Sequence, residues 1–577
     1  MVIVTFLGSC LRTLDNPALK YALEQKPEKE SVIACYVEDP TQRLPGAAYT
    51  WWTRKSLPLL RTKLDKLHVP LVCIRGSLPS IACALLGNST STSPKVTSVY
   101  MNRRWGGYTA SEDEKFVNMF HDRDIPVKMF TAHTLHEPWT IKTGQGNPYR
   151  VYTPFSRQFA AIKPQLLEEP IAQQKDPDTL ASVVKLLESS QDLKMLDWAN
   201  PPQPFDPFWA KEFPWKPGSS EAHKVLEDFL NTRIQDYGDA RDIPYEKGTS
   251  QLSPYLAHGE ISPHRVLDAV RKAKAQLRNS KNSSAVESAN TFEKELVWRE
   301  FQYHLLYHEP DIGWANHNKR FDTFPWRFPA PEDELRKSAM DLKPDVATKA
   351  QLEATAAFDC WRSGHTGIPI VDAGMRQLWK MGWMHNRVRM IVASFLTKNL
   401  SFHWSVGEQW FWDTLVDADP ASNPGNWQWV SGAGADAAPF FRIFNPLRQA
   451  DNFDQNGAYV RSWVHELKST PTKEISKLYD RDCYDGESLM DFPSPISRWV
   501  DLRQGTERES SSPSRQRKHM ISLSRVATPE DEYRLPIVSL KESRATALSK
   551  FRTQGKESEE VKSESEDERP KKLARHT

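Results

Sequence analysis

The stretches Trp383-Met-His-Asn-Arg-Val-Arg-Met390 and Asp417-Ala-Asp-Pro-Ala-Ser-Asn-Pro-Gly-Asn-Trp-Gln-Trp429 combine tryptophan with asparagine, arginine and aspartate. They lie in a region, Trp298 to Trp429, that holds eleven of the twenty tryptophans of the chain. Tryptophan is the largest and most easily oxidised side chain. Mixed with polar groups, it suits a large planar redox cofactor and a flat, base-like substrate better than a plain apolar core. The region therefore predicts a cofactor site.

The composition sets limits on the class of protein. The 577 residues suffice for two or more domains, and a net charge of +2 leaves any nucleic-acid contact to a local basic surface. The six cysteines show no Cys-x-x-Cys or Cys/His spacing, which argues against a disulfide framework or a metal site and favours a reducing compartment. No apolar run reaches the roughly 18 residues of a membrane span. The apolar start predicts a buried strand rather than a secretion signal.

Residues 1–130 alternate β-branched runs with amphipathic ones. Strands alternating with helices indicate an α/β domain with a parallel, doubly wound sheet. Residues 131–215, rich in Pro, Gln and Asp, are expected to connect this domain to the next, with some helix. Strands are predicted at Val2–Phe6, Val32–Val37, Leu71–Arg75 and Val96–Met101, and helices at Trp51–Leu67 and Ser111–His121.

Residues 216–500 are predicted to form an all-helical domain. Ser253 and Ser262 each precede a proline and are expected to cap helices, and Gly259 is expected to end the helix between them. Long amphipathic helices are predicted at Phe292–His308 and Met384–Leu400. Residues 505–577 contain no Trp, one Tyr and one Phe among many Ser, Glu, Lys and Arg, which predicts a disordered tail.

The run Gly248-Thr-Ser-Gln-Leu-Ser253 leads into the first of these helix starts. Hydroxyls and free backbone N–H groups at a helix N-terminus can hold an anion such as a pyrophosphate. Simple capping is the more frequent role of such a motif. The run Glu295-Leu-Val-Trp-Arg-Glu300 places Glu295, Trp298 and Arg299 on one helical face. That face could hold a base by hydrogen bonding and stacking, or it is a core tryptophan beside a Glu–Arg pair.

Asn386, Arg389 and Met390 repeat this spacing further along the chain. Asn386 carries both a donor and an acceptor and suits the polar edge of a heteroaromatic ring. If buried, Arg389 needs a carboxylate, for which Asp417 and Asp419 are the candidates; a solvated arginine face is the alternative.

The segment from Asp417 to Trp429 carries two carboxylates, a Pro-Gly turn and two tryptophans. Such a segment is predicted to be a loop that wraps a ligand rather than one regular helix. An ordinary connecting loop would leave its density of aspartate and tryptophan unexplained.

Two longer runs carry a family resemblance, His365-Thr-Gly-Ile-Pro-Ile-Val-Asp-Ala-Gly-Met-Arg376 and Gly434-Ala-Asp-Ala-Ala-Pro-Phe-Phe-Arg-Ile-Phe-Asn-Pro446. The chain resembles the photolyase/cryptochrome flavoproteins from about residue 30 to about residue 470. Within the family it is most similar to the microbial class I and related cyclobutane pyrimidine dimer photolyases. The resemblance implies an N-terminal α/β domain and a helical domain that binds FAD in a folded form.

The resemblance also implies which residues hold FAD. Asn423 would face flavin N5; an Asn there resembles photolyases, whereas plant photoreceptors of the family carry Asp. Asp417, paired with Arg389, and Asp419 would bind polar edges of the nucleoside and the isoalloxazine. The remaining implied cofactor residues are Tyr237, Thr249, Ser250, Gln251, Leu252 and Ser253 at the phosphates and ribitol, and Phe292, Arg299, Trp383 and Asn386 around the rings.

UV-damaged DNA is the implied partner. Trp298 and Trp429 would sandwich the two pyrimidines. Asn386 and Arg387 stand where enzymes for (6-4) photoproducts carry a His pair, which favours the cyclobutane lesion. The implied catalytic set is Glu295, Trp298, Asn386, Met390, Asn423 and Trp429, and the implied phosphate contacts are Arg241, Arg387 and Arg442.

Trp427, Trp404 and Trp326 resemble the family's electron-transfer chain, with Trp314 as a rival outermost member. The stretch Asn102-Arg-Arg-Trp-Gly-Gly-Tyr-Thr109 lacks the acidic residues that hold a folate antenna in some relatives. A second, antenna chromophore therefore remains unidentified from the sequence.

The implied activity is light-driven repair, in which excited, fully reduced FAD passes an electron to a cyclobutane pyrimidine dimer. A damaged base pair costs less to flip out of the duplex than a normal one. The alternative is a cryptochrome-type receptor that signals to a partner through a phosphorylatable tail, or a protein with both roles. A flavoprotein without a light function is a third reading. The complete repair set favours repair.

The protein is expected to be a monomer in the nucleus or cytoplasm. Arg569–His576 is either an import signal or a solvated basic end.

Overall fold

The computed structural model describes residues 2–25, 30–87, 96–106, 109–160, 163–171, 177–198, 208–329, 349–437, 442–480 and 533–567. The chain forms two compact units. Unit 1 comprises Met1–Ala315, Gln377–Met384 and Gln409–Gly425. Unit 2 comprises Asn316–Arg376, His385–Glu408 and Asn426–Thr577.

Unit 1 contains a six-stranded sheet with the strand order β5-β4-β1-β2-β3-β6. The first five strands pair in parallel and β6 pairs antiparallel to β3 at one edge. The predicted doubly wound parallel sheet is therefore confirmed, together with its four predicted strands. The strands are β1 (Val2–Phe6), β2 (Ser31–Glu38), β3 (Leu71–Arg75), β4 (Val96–Asn102), β5 (Val127–Phe130) and β6 (Lys194–Met195).

Of the first six described helices, five contribute to the two separate hydrophobic clusters that contain the buried residues of the sheet, whereas the fifth packs on Phe301 of a later helix. The helices are α1 (Pro17–Gln25), α2 (Ala47–Lys66), α3 (Leu78–Leu86), α4 (Thr109–His121), α5 (Tyr152–Phe159) and α6 (Pro177–Glu188). Val183 and Leu187 of α6 are fully buried in one cluster, beside Val4 and Ile33 of the sheet. Residues 131–215, predicted as a connection, thus also supply a helix and the edge strand β6 to the α/β part.

The remaining described elements are helical. Unit 1 continues with α7 (Ser219–Thr232), α8 (Tyr237–Ala240), α9 (Ser253–Ala257), α10 (Pro263–Asn279) and α11 (Ser283–His308). Further along the chain lie α12 (Lys349–Ser363), α13 (Pro369–Met381), α14 (Asn386–Ser394), α15 (Trp404–Thr414), α16 (Ser422–Ser431), α17 (Pro446–Phe453), α18 (Ala458–Trp463), α19 (Thr472–Lys477) and α20 (Leu540–Asp567). Among the described residues, no helix combines the length and apolarity needed to cross a bilayer.

Three predicted elements differ from the structure. The helix predicted at Phe292–His308 begins nine residues earlier, at Ser283. The helix predicted at Met384–Leu400 begins at Asn386, because His385 is its N-cap, and it changes to a π-helix at Phe395–Asn399. The loop predicted from Asp417 to Trp429 is wrong beyond its first five residues, since α16 begins at Ser422. Pro424 is tolerated there because it lies in the first helical turn, where a backbone N–H has no partner within the helix.

Of the two Ser-Pro motifs, only the second provides the predicted helix cap. Ser262 caps α10 as predicted, and its hydroxyl accepts a hydrogen bond from the backbone N–H of His264 at 3.1 Å. Gly259, with φ of +61°, follows the end of α9 as expected. The predicted capping role of Ser253 is wrong: Leu252 is the N-cap of α9, and it makes no side-chain capping bond.

The predicted disorder of residues 505–577 is wrong for the segment from Tyr533 to Gln554. Tyr533 is buried and its hydroxyl donates to Asp372 at 2.5 Å, while Ser543 on α20 accepts from Asn399 at 2.8 Å. A few apolar anchors therefore fix a segment whose average composition is polar. The other parts of the predicted tail, 505–532 and 568–577 with the candidate import signal, lie outside the described residues.

Replacing Tyr533 with Phe is expected to lower the free energy of unfolding by about 1–3 kcal/mol, because Asp372 is fully buried and loses a donor. Burial raises the pKa of Asp372, so the carboxyl group depends on its donors to stay ionised. Denaturant titration would measure the change. The control is Tyr245→Phe, at a residue 61% exposed, which should change stability by less than about 0.5 kcal/mol. Equal effects of the two substitutions would contradict the anchoring role.

Candidate cofactor and nucleic-acid site

The predicted site residues fall in both units. The members in unit 1 are Tyr237, Arg241, Thr249, Ser250, Gln251, Leu252, Ser253, Phe292, Glu295, Trp298, Arg299, Trp383, Asp417, Asp419 and Asn423. The members in unit 2 are Trp326, Asn386, Arg387, Arg389, Met390, Trp404, Trp427, Trp429 and Arg442. The pairing of Arg389 with Asp417 stays a prediction.

Ser253 connects two predicted cofactor residues in unit 1. Its hydroxyl donates to Oδ2 of Asp417 at 2.6 Å and accepts from the indole N–H of Trp383 at 3.3 Å. Asp417 and Trp383 are both buried, whereas Ser253 is exposed. The hydroxyl of Ser253 thus orients a carboxylate and an indole, which explains why it does not cap α9.

Asp419 lies just before α16 and is held by three donors. Its Oδ1 accepts from the backbone N–H groups of Ala421 (3.0 Å) and Ser422 (2.6 Å), and its Oδ2 accepts from the Tyr303 hydroxyl at 2.6 Å. Burial, followed by the Asp419 charge, raises the pKa of Tyr303 well above its ordinary value, so the phenol is a stable donor. Asn423 is buried in the first turn of α16, and its N–H donates to the Asp419 carbonyl. Asp419 therefore fixes the start of the helix that carries Asn423.

Arg299, on α11, provides a test of whether these residues fit a bound dinucleotide. One guanidinium nitrogen, Nη1, donates to the His133 carbonyl at 2.8 Å and lies 3.2 Å from a Glu300 carboxylate oxygen. The guanidinium also lies 4.7 Å from the centre of the Tyr303 ring. The second nitrogen, Nη2, is buried and has no hydrogen-bond partner in the described part of the chain. A buried donor of this kind needs an acceptor, and a phosphate or carbonyl oxygen of a cofactor would provide one.

Glu295 and Trp298 lie one turn apart on α11, as the spacing predicts. The Arg241 guanidinium donates to Glu295 and forms an ion pair with it. Trp298 is half-buried and stacks on Tyr152, with ring centres 3.5 Å apart and planes 3° from parallel. The structure thus brings a predicted phosphate contact, a carboxylate and an indole together in unit 1.

The predicted phosphate loop contains a strained residue. Gln251 has φ of +57°, a region in which side chains other than glycine are uncommon. Ser250 accepts from the Leu252 N–H at 3.3 Å, and Thr249 is half-buried. Strain of this kind is frequent at functional sites, which is consistent with a ligand-binding loop.

Tyr237 and Phe292 pack against each other in unit 1. Their ring centres are 5.2 Å apart, and Phe229 lies 4.6 Å from Phe292. Both predicted residues are more than nine-tenths buried. A core role therefore explains these two residues without a cofactor.

In unit 2, the predicted substrate residues lie at the start of α14. Asn386 is its exposed first residue, and Met390 is half-buried one turn later. Arg387 places Nη1 3.9 Å from the Met390 sulfur and its guanidinium 4.4 Å from the centre of the Phe453 ring. Arg442 is exposed beside Phe444, at 5.1 Å. Packing of this kind on an aromatic ring limits the orientations of each guanidinium plane.

Trp404 and Trp326 both contact His403 in unit 2. The imidazole lies 5.3 Å from the Trp404 ring and 5.7 Å, edge to face, from the Trp326 ring. Trp404 is fully buried and donates to Asn316 at 2.7 Å, whereas Trp326 is half-exposed. Burial lowers the pKa of His403 to about 4, so it is neutral at pH 7. A buried and a half-exposed indole bridged by a neutral ring are consistent with an electron route that ends at the surface.

Trp427 is buried on α16 within unit 2, and its ring packs on Gly407, one turn into α15. A side chain at Gly407 would place its first carbon 2.2 Å from this ring, so glycine is required there. Trp361, which is fully buried, meets Trp427 edge to face at 6.2 Å. Trp429, two residues after Trp427, is half-buried.

Sequence reasoning missed Tyr152, Tyr303, Trp361 and His403, each of which touches a predicted residue. Tyr303 follows Arg299 by four positions on one helix, so helical spacing could have identified it. The contact of Tyr152 with Trp298 joins residues far apart in the chain, and no local pattern signals it.

Comparison with known proteins agrees with this site. Residues 4–174 match the family model described as DNA photolyase, and residues 292–553 match the FAD binding domain of DNA photolyase. The chain belongs to the photolyase/cryptochrome family, and FAD is the cofactor of the matched domain. The second match extends into α20, which agrees with the packing of this helix in unit 2.

Three similar proteins illustrate the range of the family. A deoxyribodipyrimidine photo-lyase of Agrobacterium fabrum is 40% identical over 480 residues, which cover 83% of this chain and 90% of that protein. Cryptochrome-2 of Arabidopsis thaliana is 31% identical and covers 82% of this chain and 71% of its own length. A crystal structure described as a bacterial class III photolyase from Agrobacterium tumefaciens has a TM-score of 0.71 at 36% identity, covering 96% of this chain and 98% of its own. The finer assignment to class I gains no support from this similarity.

The residues present fit FAD. Arg299, Ser253, Asp417 and Trp383 would hold it within unit 1, through the unpaired guanidinium nitrogen and the Ser253-centred hydrogen bonds. When bound and reduced, FAD supplies light absorption and a transferable electron.

Replacing Ser253 with Ala is expected to reduce retained FAD, because Asp417 loses one donor and Trp383 loses one acceptor. The ratio of flavin absorbance to protein absorbance after gel filtration would measure the loss. Ser262→Ala is the matched control, since this second Ser-Pro serine caps α10 and should cost about 1 kcal/mol of stability without loss of flavin. Equal flavin content in both variants would contradict the assignment of Ser253.

Proposed function

We propose that this protein is a light-dependent DNA repair enzyme that splits cyclobutane pyrimidine dimers. Membership of the photolyase/cryptochrome family and several relatives named deoxyribodipyrimidine photo-lyase support the proposal. The sequence contains the full predicted set for lesion contact, including Asn386 and Asn423.

The observation that carries the proposal is the arrangement around Trp298. One face of the indole is covered by Tyr152, and the adjacent turn of α11 holds Glu295 in an ion pair with Arg241. A half-exposed indole beside a fixed carboxylate offers an apolar ring face and a hydrogen-bond acceptor to the same ligand. An unstacked pyrimidine dimer is a ligand of this kind, because it has lost its pairing in the duplex.

Local positive charge rather than net charge would bring DNA to the site. The chain carries only +2 overall, so binding depends on individual arginines such as Arg241, Arg387 and Arg442. Phosphate contacts of this type hold the duplex in register and make affinity decrease with added salt.

The tryptophans of unit 2 would keep the cofactor reduced. Trp404 is fully buried and Trp326 is half-exposed, and His403 lies between them. An electron that leaves Trp326 can be replaced by a reductant in solution. Because the Trp326 and Trp404 rings both contact His403 within unit 2, we favour Trp326 over Trp314 as the outermost tryptophan of the electron-transfer chain.

The receptor role is the second candidate, and the similarity to Cryptochrome-2 favours it. Part of the tail that suggested it, Tyr533 to Gln554, packs in unit 2. The parts of the predicted tail at 505–532 and 568–577, on which the receptor role also rests, lie outside the described residues.

Purified, FAD-loaded and chemically reduced protein is expected to convert a thymine-dimer oligonucleotide to the intact sequence under blue light and not in darkness. The Trp298 stack and the Glu295 ion pair would hold the lesion for this reaction. Chromatography of the oligonucleotide would measure the conversion. Stable FAD binding with equal dimer content in light and dark would overturn the repair proposal in favour of the receptor role.

Trp427→Phe is expected to slow light-driven reduction of bound oxidised FAD by at least about tenfold, because Phe is much harder to oxidise than Trp. Repair by chemically reduced protein should be unchanged. Absorbance under illumination with a thiol reductant would follow the reduction. The control is Trp410→Phe, which removes another buried indole, stacked on Trp379 at 6.2 Å. If both variants are reduced at the wild-type rate, Trp427 does not belong to the route.

A further inference from the structure

Trp298 and Tyr152 form an unusually complete stack in unit 1. Their ring centres are 3.5 Å apart and their planes differ by 3°, so the phenol stacks on one face of the indole. Phe301 meets the indole edge to face at 6.0 Å and 74°. Trp298 nevertheless remains half-exposed, and because Tyr152 occupies one face of the indole, a ligand would have to pack on the opposite face.

Tyr152 is held in place by the helix that it begins. Phe155 and Phe159 of α5 are fully buried, and the Phe155 ring lies 5.2 Å from Phe301 on α11. Tyr152 itself lies 5.9 Å from Phe301, and its hydroxyl donates to the Lys294 carbonyl at 3.3 Å. Contacts at both ends of the side chain therefore fix the phenol against α11.

We propose that Tyr152 is a positioning residue for lesion recognition: it holds Trp298 from behind, so that the indole presents a single, preoriented face to an unstacked pyrimidine dimer. This inference rests on the proposed function, because it assumes that Trp298 stacks on the lesion. The inference gives α5, which lies in the segment 131–215 predicted as a connection, a role in positioning Trp298.

The physical gain is preorganisation. An indole that is already immobilised loses little rotational freedom when a ligand stacks on it, so more of the stacking energy appears as affinity. A ring clamped on one face also accepts a ligand only on the other, which restricts the geometry of binding. Undamaged DNA keeps its bases stacked within the duplex and gains nothing from this surface.

A lid that moves away when DNA binds is the competing role for Tyr152. Opening such a lid would break the stack, the contact with Phe301 and the hydrogen bond to the Lys294 carbonyl. Since α5 is anchored by two fully buried phenylalanines, a fixed support agrees better with the packing.

The test compares dissociation constants measured in the dark, with FAD-loaded protein, for a thymine-dimer duplex and its undamaged counterpart. Tyr152→Ala is expected to weaken binding of the dimer duplex about 3- to 10-fold, the range of one aromatic stacking contact, and to leave undamaged binding unchanged. Tyr152→Phe keeps the stack and should restore wild-type discrimination between the two duplexes.

Tyr307→Ala is the matched control, because Tyr307 lies on the same helix α11 and packs on a tryptophan, Trp139, at 5.2 Å. It is expected to leave both dissociation constants unchanged. Flavin content and the melting temperature, measured for every variant, identify general loss of structure. A purely structural role of Tyr152 would not change the ratio of the two dissociation constants in Tyr152→Ala. It would also not predict that Tyr152→Phe returns this ratio to the wild-type value.

Wild-type discrimination in Tyr152→Ala, together with lost discrimination in Trp298→Ala, would overturn the positioning role while leaving the proposed function intact. Tighter dimer binding by Tyr152→Ala would also overturn it and would identify Tyr152 as a lid. Unchanged dimer binding by Trp298→Ala would remove the stacking role of Trp298, and this inference with it, whereas the light-dependent conversion of the oligonucleotide decides the proposed function itself.

Discussion

The requirement that buried polar groups be satisfied organises the candidate site. Asp419 is the clearest case, since three donors converge on its carboxylate, from Tyr303 on α11 and from Ala421 and Ser422 at the start of α16. A buried carboxylate without these donors would cost several kcal/mol. The same hydrogen bonds fix where α16 begins, and therefore where Asn423 lies. Ser253 does the equivalent for Asp417 and Trp383.

One of the buried groups without a hydrogen-bond partner among the described residues is informative because of where it lies, beside Tyr303, which holds Asp419. The Nη2 nitrogen of Arg299 is buried without a partner in the described structure, although the rest of its guanidinium is well bonded. A buried charged donor of this kind is stabilised by an acceptor, which a bound ligand can supply. The match to an FAD-binding domain over residues 292–553 identifies the chemistry of that ligand. The segment that precedes α20 also satisfies a buried group, because the Tyr533 hydroxyl donates to the buried carboxylate of Asp372.

Local patterns predicted the parts of the protein that depend on local physics. The four central strands, their parallel sheet and the shared face of Glu295 and Trp298 follow from hydrophobic periodicity and helical spacing. The errors arose where composition was averaged over a segment. Residues 505–577 are polar on average, yet Tyr533 and a few other anchors suffice to order one part. The stretch from Ser422 contains Pro and Gly, yet a proline in the first turn does not prevent a helix.

The sequence by itself determined the family, the α/β sheet, the helical character of the rest and the identity of the residues available to a flavin and to DNA, because these depend on residue type and short-range spacing. Only the tertiary structure decided that Ser253 bonds to Asp417 instead of capping α9, that Tyr303 holds Asp419, and that Tyr152 covers one face of Trp298. Each of these contacts joins residues more than a hundred positions apart. Their geometry is set by how whole helices pack, which no local pattern records.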